Sequence, residues 1–166
     1  VDFKQAGDIV YLVGQTGDDY NGSSLQYLQT GAYAGRLTGF DLEAEKQTQD
    51  LVLALIRKHL VNAAHDLSDG GLAAAIVEMS AKRDLGLIAD TTLTTTQLFS
   101  ETQGRFLLTV RPEDQAAFEA IAQDQAVQLG VVSTGDFDLK LADGELHTQM
   151  SQLTTIYSEA LACALK

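Results

Sequence analysis

Cysteine is almost missing from this chain. Cys163 is the single one among 166 residues, which excludes an internal disulfide and any cysteine-based metal site. Its place in an apolar helical run predicts a small core residue. Proline is equally scarce, with Pro112 alone, and hydrophobic residues make up 45% of the chain. That composition belongs to a folded globular protein rather than a disordered one. Positive charge is short too: 11 Lys and Arg stand against 23 Asp and Glu, a net charge of −12. Such a balance argues against nonspecific binding to nucleic acid or to an anionic membrane. Any phosphate would have to be held by local groups against the overall field. No apolar stretch is long enough to span a bilayer and no signal peptide is visible, so a cytoplasmic setting is the default. There is no internal repeat, no low-complexity tract and no break in composition. The length fits a single domain, residues 1–166. The chain begins at Val1 with no initiator Met, which predicts a piece of something longer.

What is present centres on Ala63-Ala64-His65-Asp66-Leu67-Ser68-Asp69-Gly70-Gly71-Leu72. It opens apolar, turns polar and passes two glycines into a helical run with Leu72, Ile76 and Met79 on one side. Asp66, Ser68 and Asp69 can each accept from a free N–H of the first helical turn. Gly70 and Gly71 permit positive φ or close approach. Such a turn at a helix start is either an anion site or an ordinary capped connection.

Elsewhere, the apolar run through Ile9 and Val13 predicts a strand covered on both faces. A Gly, Asp, Asn and Ser loop follows, with Ser23 or Ser24 as helix cap. No Gly-Lys-Ser/Thr is present to make it a phosphate loop. Residues 41–60 read as an amphipathic helix with Lys58 and His59 at its C-terminal end. Residues 85–90 read as a strand. Leu98-Phe99-Ser100-Glu101-Thr102-Gln103-Gly104-Arg105 reads as a short helical turn and a polar knot, with a strand leaving from Arg105. Arg105 is either a phosphate fork or a clip paired with Glu101. Pro112 opens a helix, and residues 127–133 form a strand in which Gly130 marks a bulge or close approach. Residues 137–142 form another strand. The span 147–166 reads as a closing helix with His147 near its start and with Leu153, Ile156, Tyr157, Ala160 and Leu161 inward. By pattern the fold is α+β, a mixed β-sheet of about four to six strands packed with helices.

Three motifs carry a resemblance. His65-Asp66-Leu67-Ser68-Asp69-Gly70-Gly71 resembles the glycine turn in the C-terminal half of the phosphoribosylformylglycinamidine synthase family, within the aminoimidazole ribonucleotide synthetase superfamily. Gly14-Gln15-Thr16 followed by Asn21-Gly22-Ser23 is similar to that family's Gly-x-Thr and Gly-Gly-Ser, with Asn21 for the first glycine; Asn tolerates left-handed geometry. Leu98-Phe99-Ser100-Glu101-Thr102-Gln103-Gly104-Arg105-Phe106 is similar to Leu-Phe-Ser-Glu-Ser-x-x-Arg-Phe, with Thr102 for a Ser.

The resemblance implies a C-terminal domain of an ATP-dependent amidoligase. That enzyme makes formylglycinamidine ribonucleotide from formylglycinamide ribonucleotide and glutamine-derived ammonia. It implies substrate- or nucleotide-phosphate contacts from Ser68, Gly70, Gly71, Ser100, Glu101, Thr102 and Arg105, facing either the active site or a structural nucleotide site. His65 is the one catalytic candidate, and no metal ligand is implied here. ATP and Mg²⁺ are expected mainly outside this domain. The implied partners are N-terminal ATP-binding domains of the same polypeptide, a glutaminase subunit and a small accessory subunit. The domain alone is expected to catalyse nothing. A stand-alone binding or scaffold module of the same fold, or the C-terminal domain of another superfamily member, is the alternative.

Overall fold

A computed structural model describes residues 1–36 and 39–164, with side chains through residue 159. The strands are β1 (Ile9–Val13), β2 (Ala63–Asp66), β3 (Leu85–Asp90), β4 (Phe106–Val110), β5 (Ala126–Thr134), β6 (Asp136–Lys140) and β7 (Glu145–Gln149). The helices are α1 (Ser24–Thr30), α2 (Leu42–Arg57), α3 (Gly71–Ala81), α4 (Thr95–Phe99), α5 (Gln115–Ala122) and α6 (Met150–Ala164). The strands form one sheet in the order β2-β4-β1-β5-β3-β6-β7. Its pairs are antiparallel except β3 with β6. This is the expected mixed sheet packed with helices.

The sheet has a core on each face. One gathers Val10, Leu12, Leu87, Leu107 and Leu129 of the strands with Leu72, Ile76 and Met79 of α3. The other gathers Tyr11, Val13 and Leu108 with Val52 and Leu55 of α2 and Phe118 of α5. Every residue of β1 is buried, as its unbroken apolar run requires for a central strand. β5 carries a bulge: Val10 pairs with Gly130 and Tyr11 with Gln128, leaving Leu129 without an opposite number. The extra residue changes the phase of alternation, and both Leu129 and Val132 end up buried. Gly130 also lets β3 approach, since a Cβ there would overlap the Ile88 carbonyl oxygen.

Local signals account for most helix ends. Asp41 accepts from the N–H groups of Glu43 and Ala44, and Ser23 caps α1. α2 stops where His59 takes φ 59° and Leu60 N–H reaches back to the Leu55 carbonyl. That is a left-handed helix terminus with His where Gly is usual, so His59 acts as a cap. The left-handed residue of the 20–23 turn is Gly22 at φ 76°. Asn21 is absent from that set and uses its side chain to donate to the Arg36 carbonyl.

Three expectations are corrected. The sheet has seven strands, not four to six. Residues 145–149 are a strand, and the closing helix begins at Met150. Glu145-Leu146-His147-Thr148-Gln149 alternates in period two after a tight turn at Asp143-Gly144, where Leu141 N–H bonds the Gly144 carbonyl at 2.7 Å. That is a hairpin pattern, and His147 therefore sits mid-strand against Asp138 of β6. The Asp138 carboxylate holds the His147 imidazole above its ordinary pKa. Of the residues expected inward on that helix, Leu153 packs against the core, while Ile156 and Tyr157 are exposed; the expectations for Ala160, Leu161 and Cys163 lie outside the described side chains.

Gly130→Ala should lower stability by about 2–3 kcal/mol, because backbone must move to admit one methyl. At this chain length the midpoint should fall by roughly 5–10 °C. Gly144→Ala, where a Cβ meets nothing within 4 Å, should stay within about 0.5 kcal/mol of the parent. Equal thermal midpoints for the two variants would refute the close-approach account.

Tyr11 yields a second expectation. Burial, and the Glu119 carboxylate that accepts from its hydroxyl at 2.6 Å, push the phenol up to about 12. A raised folded pKa means that the folded state holds its proton after the unfolded chain has released it. Stability should therefore fall as pH rises from 10 to 12. Tyr11→Phe should flatten that slope in melts across the window, and an unchanged slope would remove Tyr11 from the account.

Candidate functional site

The loop from Ser100 to Arg105 lies between three elements that are remote in sequence. α4 delivers it after a capping box at Thr94 and Gln97, and β4 carries the chain away. On one side is the β1–α1 loop, on another the turn between β2 and α3. Glu45 of α2 closes the third, near enough to Gly104 that a Cβ there would overlap its carboxylate.

The β2–α3 turn does not cap itself. Gly70 occupies the cap position of α3 at φ 79° and no side chain caps the helix. Asp66, Ser68 and Asp69 were each candidates to accept from this helix start, and none does so through its side chain; only the Ser68 backbone carbonyl does, taking the Gly71 N–H at 2.9 Å. Ser68 instead donates to Asp66 at 3.0 Å. The acceptor comes from 31 residues away: Glu101 Oε1 takes the Gly70 N–H at 2.7 Å. The same oxygen takes the Ser24 N–H at the start of α1, at 2.8 Å. Two consecutive positive φ values at Gly70 and Gly71 fold the helix start against the loop. A Cβ on Gly71 would overlap the Ser100 carbonyl oxygen and stand 3.0 Å from the carbonyl carbon of Phe99.

The neighbouring hydroxyls are fully engaged. Thr102 Oγ1 donates to Asp19 Oδ2 and accepts from Gly17 N–H at 3.1 Å. Ser100 Oγ accepts from Asp19 N–H at 3.2 Å and from Thr102 N–H at 3.3 Å. With the Thr102 proton assigned to Asp19, the 2.7 Å contact between the hydroxyls is Ser100 donating to Thr102. Each hydroxyl then makes one donated and two accepted bonds, its whole capacity.

Arg105 is 1% exposed. Its guanidinium donates to the Thr102 carbonyl at 2.9 Å, to the Ser100 carbonyl and to Thr16 Oγ1. Of the two readings of Arg105, the clip paired with Glu101 is corrected: Arg105 does clip the loop, but by backbone carbonyls, while Glu101 faces the two helix starts. Burial pulls the guanidinium down to about 10, opposed in part by the Asp19 charge. Asp19 Oδ1 is buried with no hydrogen-bond partner among the described residues, so this nearby cation is its compensation.

Two clefts flank the loop. One, about 400 Å³, is lined by Asp19, Asn21, Phe40, Asp41, Glu45 and Thr102 among others. The other, about 470 Å³, is lined by Asp66, Ser68, Asp69, Arg105 and Phe106 among others. Glu45, Glu101, Gln103 and Gly104 border both. Six carboxylates face these clefts, and Arg105 is the one cationic residue among the described lining. Ser68 is exposed, Gly70, Glu101 and Thr102 are half-buried, and Gly71, Ser100 and Arg105 are buried.

His65 stands apart. Its Nδ1 lies 2.6 Å from the Asp66 carbonyl and its Nε2 lies 2.9 Å from Glu78 of α3. The ring packs on the α3 flank of edge strand β2 and borders neither cleft. Asp19 and Glu45 were not singled out from sequence. Asp19 lay unmarked in a polar loop, and Glu45 looked like one more residue of a wet helix face.

Comparison with known proteins follows the same line. The sequence matches the family described as AIR synthase related protein, C-terminal domain, over residues 5–141. It is 52% identical over 161 residues to the phosphoribosylformylglycinamidine synthase subunit PurL of Lacticaseibacillus paracasei, covering 97% of this chain and 22% of that protein. The chain thus spans about a fifth of the length of that curated relative. The fold is similar to that of Thermotoga maritima PurL complexed with FGAR, at TM-score 0.73 and 22% identity, over 92% of this chain and 29% of that one. It is similar also to T. maritima PurL complexed with ATP, at TM-score 0.69 and 21% identity, over 92% and 26%. At those identities the likeness speaks for the fold.

Gly71→Ala and Gly71→Val should both destabilise, each by about 3 kcal/mol or more, since either must displace loop backbone at a positive φ. An unchanged melting midpoint for Gly71→Ala would show that the contact with the 98–100 backbone is not required.

Proposed function

The chain belongs to the AIR synthase related C-terminal domain family, and from that premise we propose that it serves as the C-terminal domain of a phosphoribosylformylglycinamidine synthase. The complete enzyme would convert formylglycinamide ribonucleotide, glutamine-derived ammonia and ATP to formylglycinamidine ribonucleotide, ADP and phosphate. One observation carries the reading: 52% identity sustained over 97% of the chain with a PurL subunit. The whole span, 1–166, is one domain of that longer enzyme and is inactive alone.

The clefts themselves argue for a divided site. A polyphosphate facing Asp19, Asp41, Glu45, Glu101, Asp66 and Asp69 meets repulsion, and Arg105 already donates to backbone. Among the described residues no group of three or more His, Cys, Asp or Glu is placed to hold a metal ion. This chain's residues therefore do not fit ATP with Mg²⁺ by themselves. Both would be held mainly by N-terminal ATP-binding domains of the same polypeptide. Ser68, Glu101, Thr102 and Arg105 form this domain's walls of the two ligand-facing clefts. Gly70, Gly71 and Ser100 hold those walls in shape from behind.

The surface beside the first cleft suits such packing. Tyr27, Leu28, Tyr33, Phe40 and Leu42 are all exposed, Leu28 at 81% and Leu42 at 72%. Large apolar side chains left exposed in this way suit an interaction face, and an ATP-binding domain is the proposed occupant. The glutaminase and small accessory subunits belong to the assembled enzyme. No helix among the described residues is long and apolar enough to cross a membrane.

The test is the complete polypeptide from the parent reading frame, assembled with its glutaminase and small subunits. With formylglycinamide ribonucleotide, glutamine and ATP it should release ADP in step with product, while the 166-residue chain alone releases none. A complete assembly that releases no substrate-dependent ADP, or a reading frame that starts at Val1, would favour a stand-alone binding module instead.

A further inference from the structure

We propose that Glu101 is a positioning residue that ties the 22–24 turn and the 68–71 turn into one mechanical unit. The proposal rests on geometry and stands whether or not the enzymatic reading above holds.

A single oxygen, Oε1, accepts from Ser24 N–H at 2.8 Å and from Gly70 N–H at 2.7 Å. Ser24 is the first residue of α1 and Gly70 the cap residue of α3, so one negative charge serves two helix starts. Neither start can draw away from the loop without stretching its bond to the oxygen that also holds the other. No local side chain caps the α3 start; the Gly71 N–H is taken by the Ser68 carbonyl at 2.9 Å, and the Gly70 N–H is left to Glu101.

The residue is itself held on both sides. Ser100 and Thr102 use every hydrogen-bonding site of their hydroxyls on the 17–19 segment and on each other. Arg105 grips the carbonyls of those same two residues. The peptide units flanking Glu101 are therefore clamped, and its side chain reaches both turns from a fixed base. The second oxygen, Oε2, makes no hydrogen bond within the described residues, and Glu101 borders both clefts. A hydrogen-bond donor entering either cleft could meet Oε2, and a pull on that carboxylate would be felt at both turns. Phosphate oxygens, as acceptors, are poor partners for it.

Amide hydrogen exchange on the 166-residue chain reads the coupling directly. Glu101→Ala should speed exchange of the Ser24 and Gly70 amides together, each by about tenfold or more, as expected for losing a bond to a charged acceptor. Glu101→Gln keeps a side-chain oxygen and should restore protection at both. Ser23→Ala, which loosens the start of α1, should speed exchange at Gly70 in the presence of Glu101 and leave it unchanged beside Glu101→Ala. If Glu101→Ala does not fold, the same comparison of Ser23→Ala is made against Glu101→Gln, where the transmitted effect should be weaker than in the parent. Response at only one of the two amides, rescue of only one by Gln, or a Ser23→Ala effect on Gly70 that ignores residue 101 would overturn the proposal.

Discussion

A carboxylate facing two helix starts organises this molecule. Helix N-termini leave donors without partners, and proteins usually satisfy them with a Ser, Thr, Asp or Asn a few residues upstream. α1 and α2 do so through Ser23 and Asp41. α3 does not, although Asp66, Ser68 and Asp69 all precede it. Its cap position is a left-handed glycine that turns the helix start toward the 98–105 loop, where Glu101 supplies the acceptor. The arrangement works only with two glycines in succession: the first for its φ, and the second because the Ser100 carbonyl occupies the place of its side chain. Ser-Asp-Gly-Gly and Leu-Phe-Ser-Glu, some 30 residues apart, are thus two halves of one contact.

That contact explains what could and could not be read from sequence. Signals that act within a few residues survived folding intact. The continuous apolar run became the buried central strand β1, Asp41 capped α2, and the glycine inside the 127–133 strand stood at a bulge. The three motifs were visible one at a time, but nothing in their spacing said that they meet. Asp66, Ser68 and Asp69 looked like caps because local reach favoured them, and a long-range acceptor displaced them. Arg105 and Glu101 looked like an ion pair because their charges and spacing match. In the fold each has better company: buried carbonyls for a guanidinium that must fill every donor, and free N–H groups for a carboxylate. Residues 147–149 were absorbed into the helix after them because a five-residue alternation is easily lost beside a long helical run. What made them a strand was the exposed edge of β6, which no local signal reports.

Charge bears on the site in a similar way. The overall charge of −12 is not confined to solvated surfaces, since carboxylates face both clefts. Asp19 and Glu101 stay there because each is answered from within: Asp19 by the Thr102 hydroxyl and the nearby Arg105 charge, Glu101 by two helix dipoles. Arg105 is desolvated and held by carbonyls, so removing it would leave a buried carboxylate oxygen with neither partner nor nearby cation. Groups balanced in this manner give shape and rigidity rather than spare charge.

Rigidity of that kind sets what the domain can contribute. A phosphate-bearing ligand needs cations, and this chain has none free at its clefts among the described residues. It offers instead a wall whose backbone is tied at Glu101, Arg105 and Gly71 and whose positions are fixed to one another across three elements. Positive charge must then come from the far side of the cleft or with the ligand. A surface that defines distances on one side and leaves charge to the other is suited to a site completed by a second domain. In such a divided site the separation of labour would itself be a control: an anion would be held only when both walls were present.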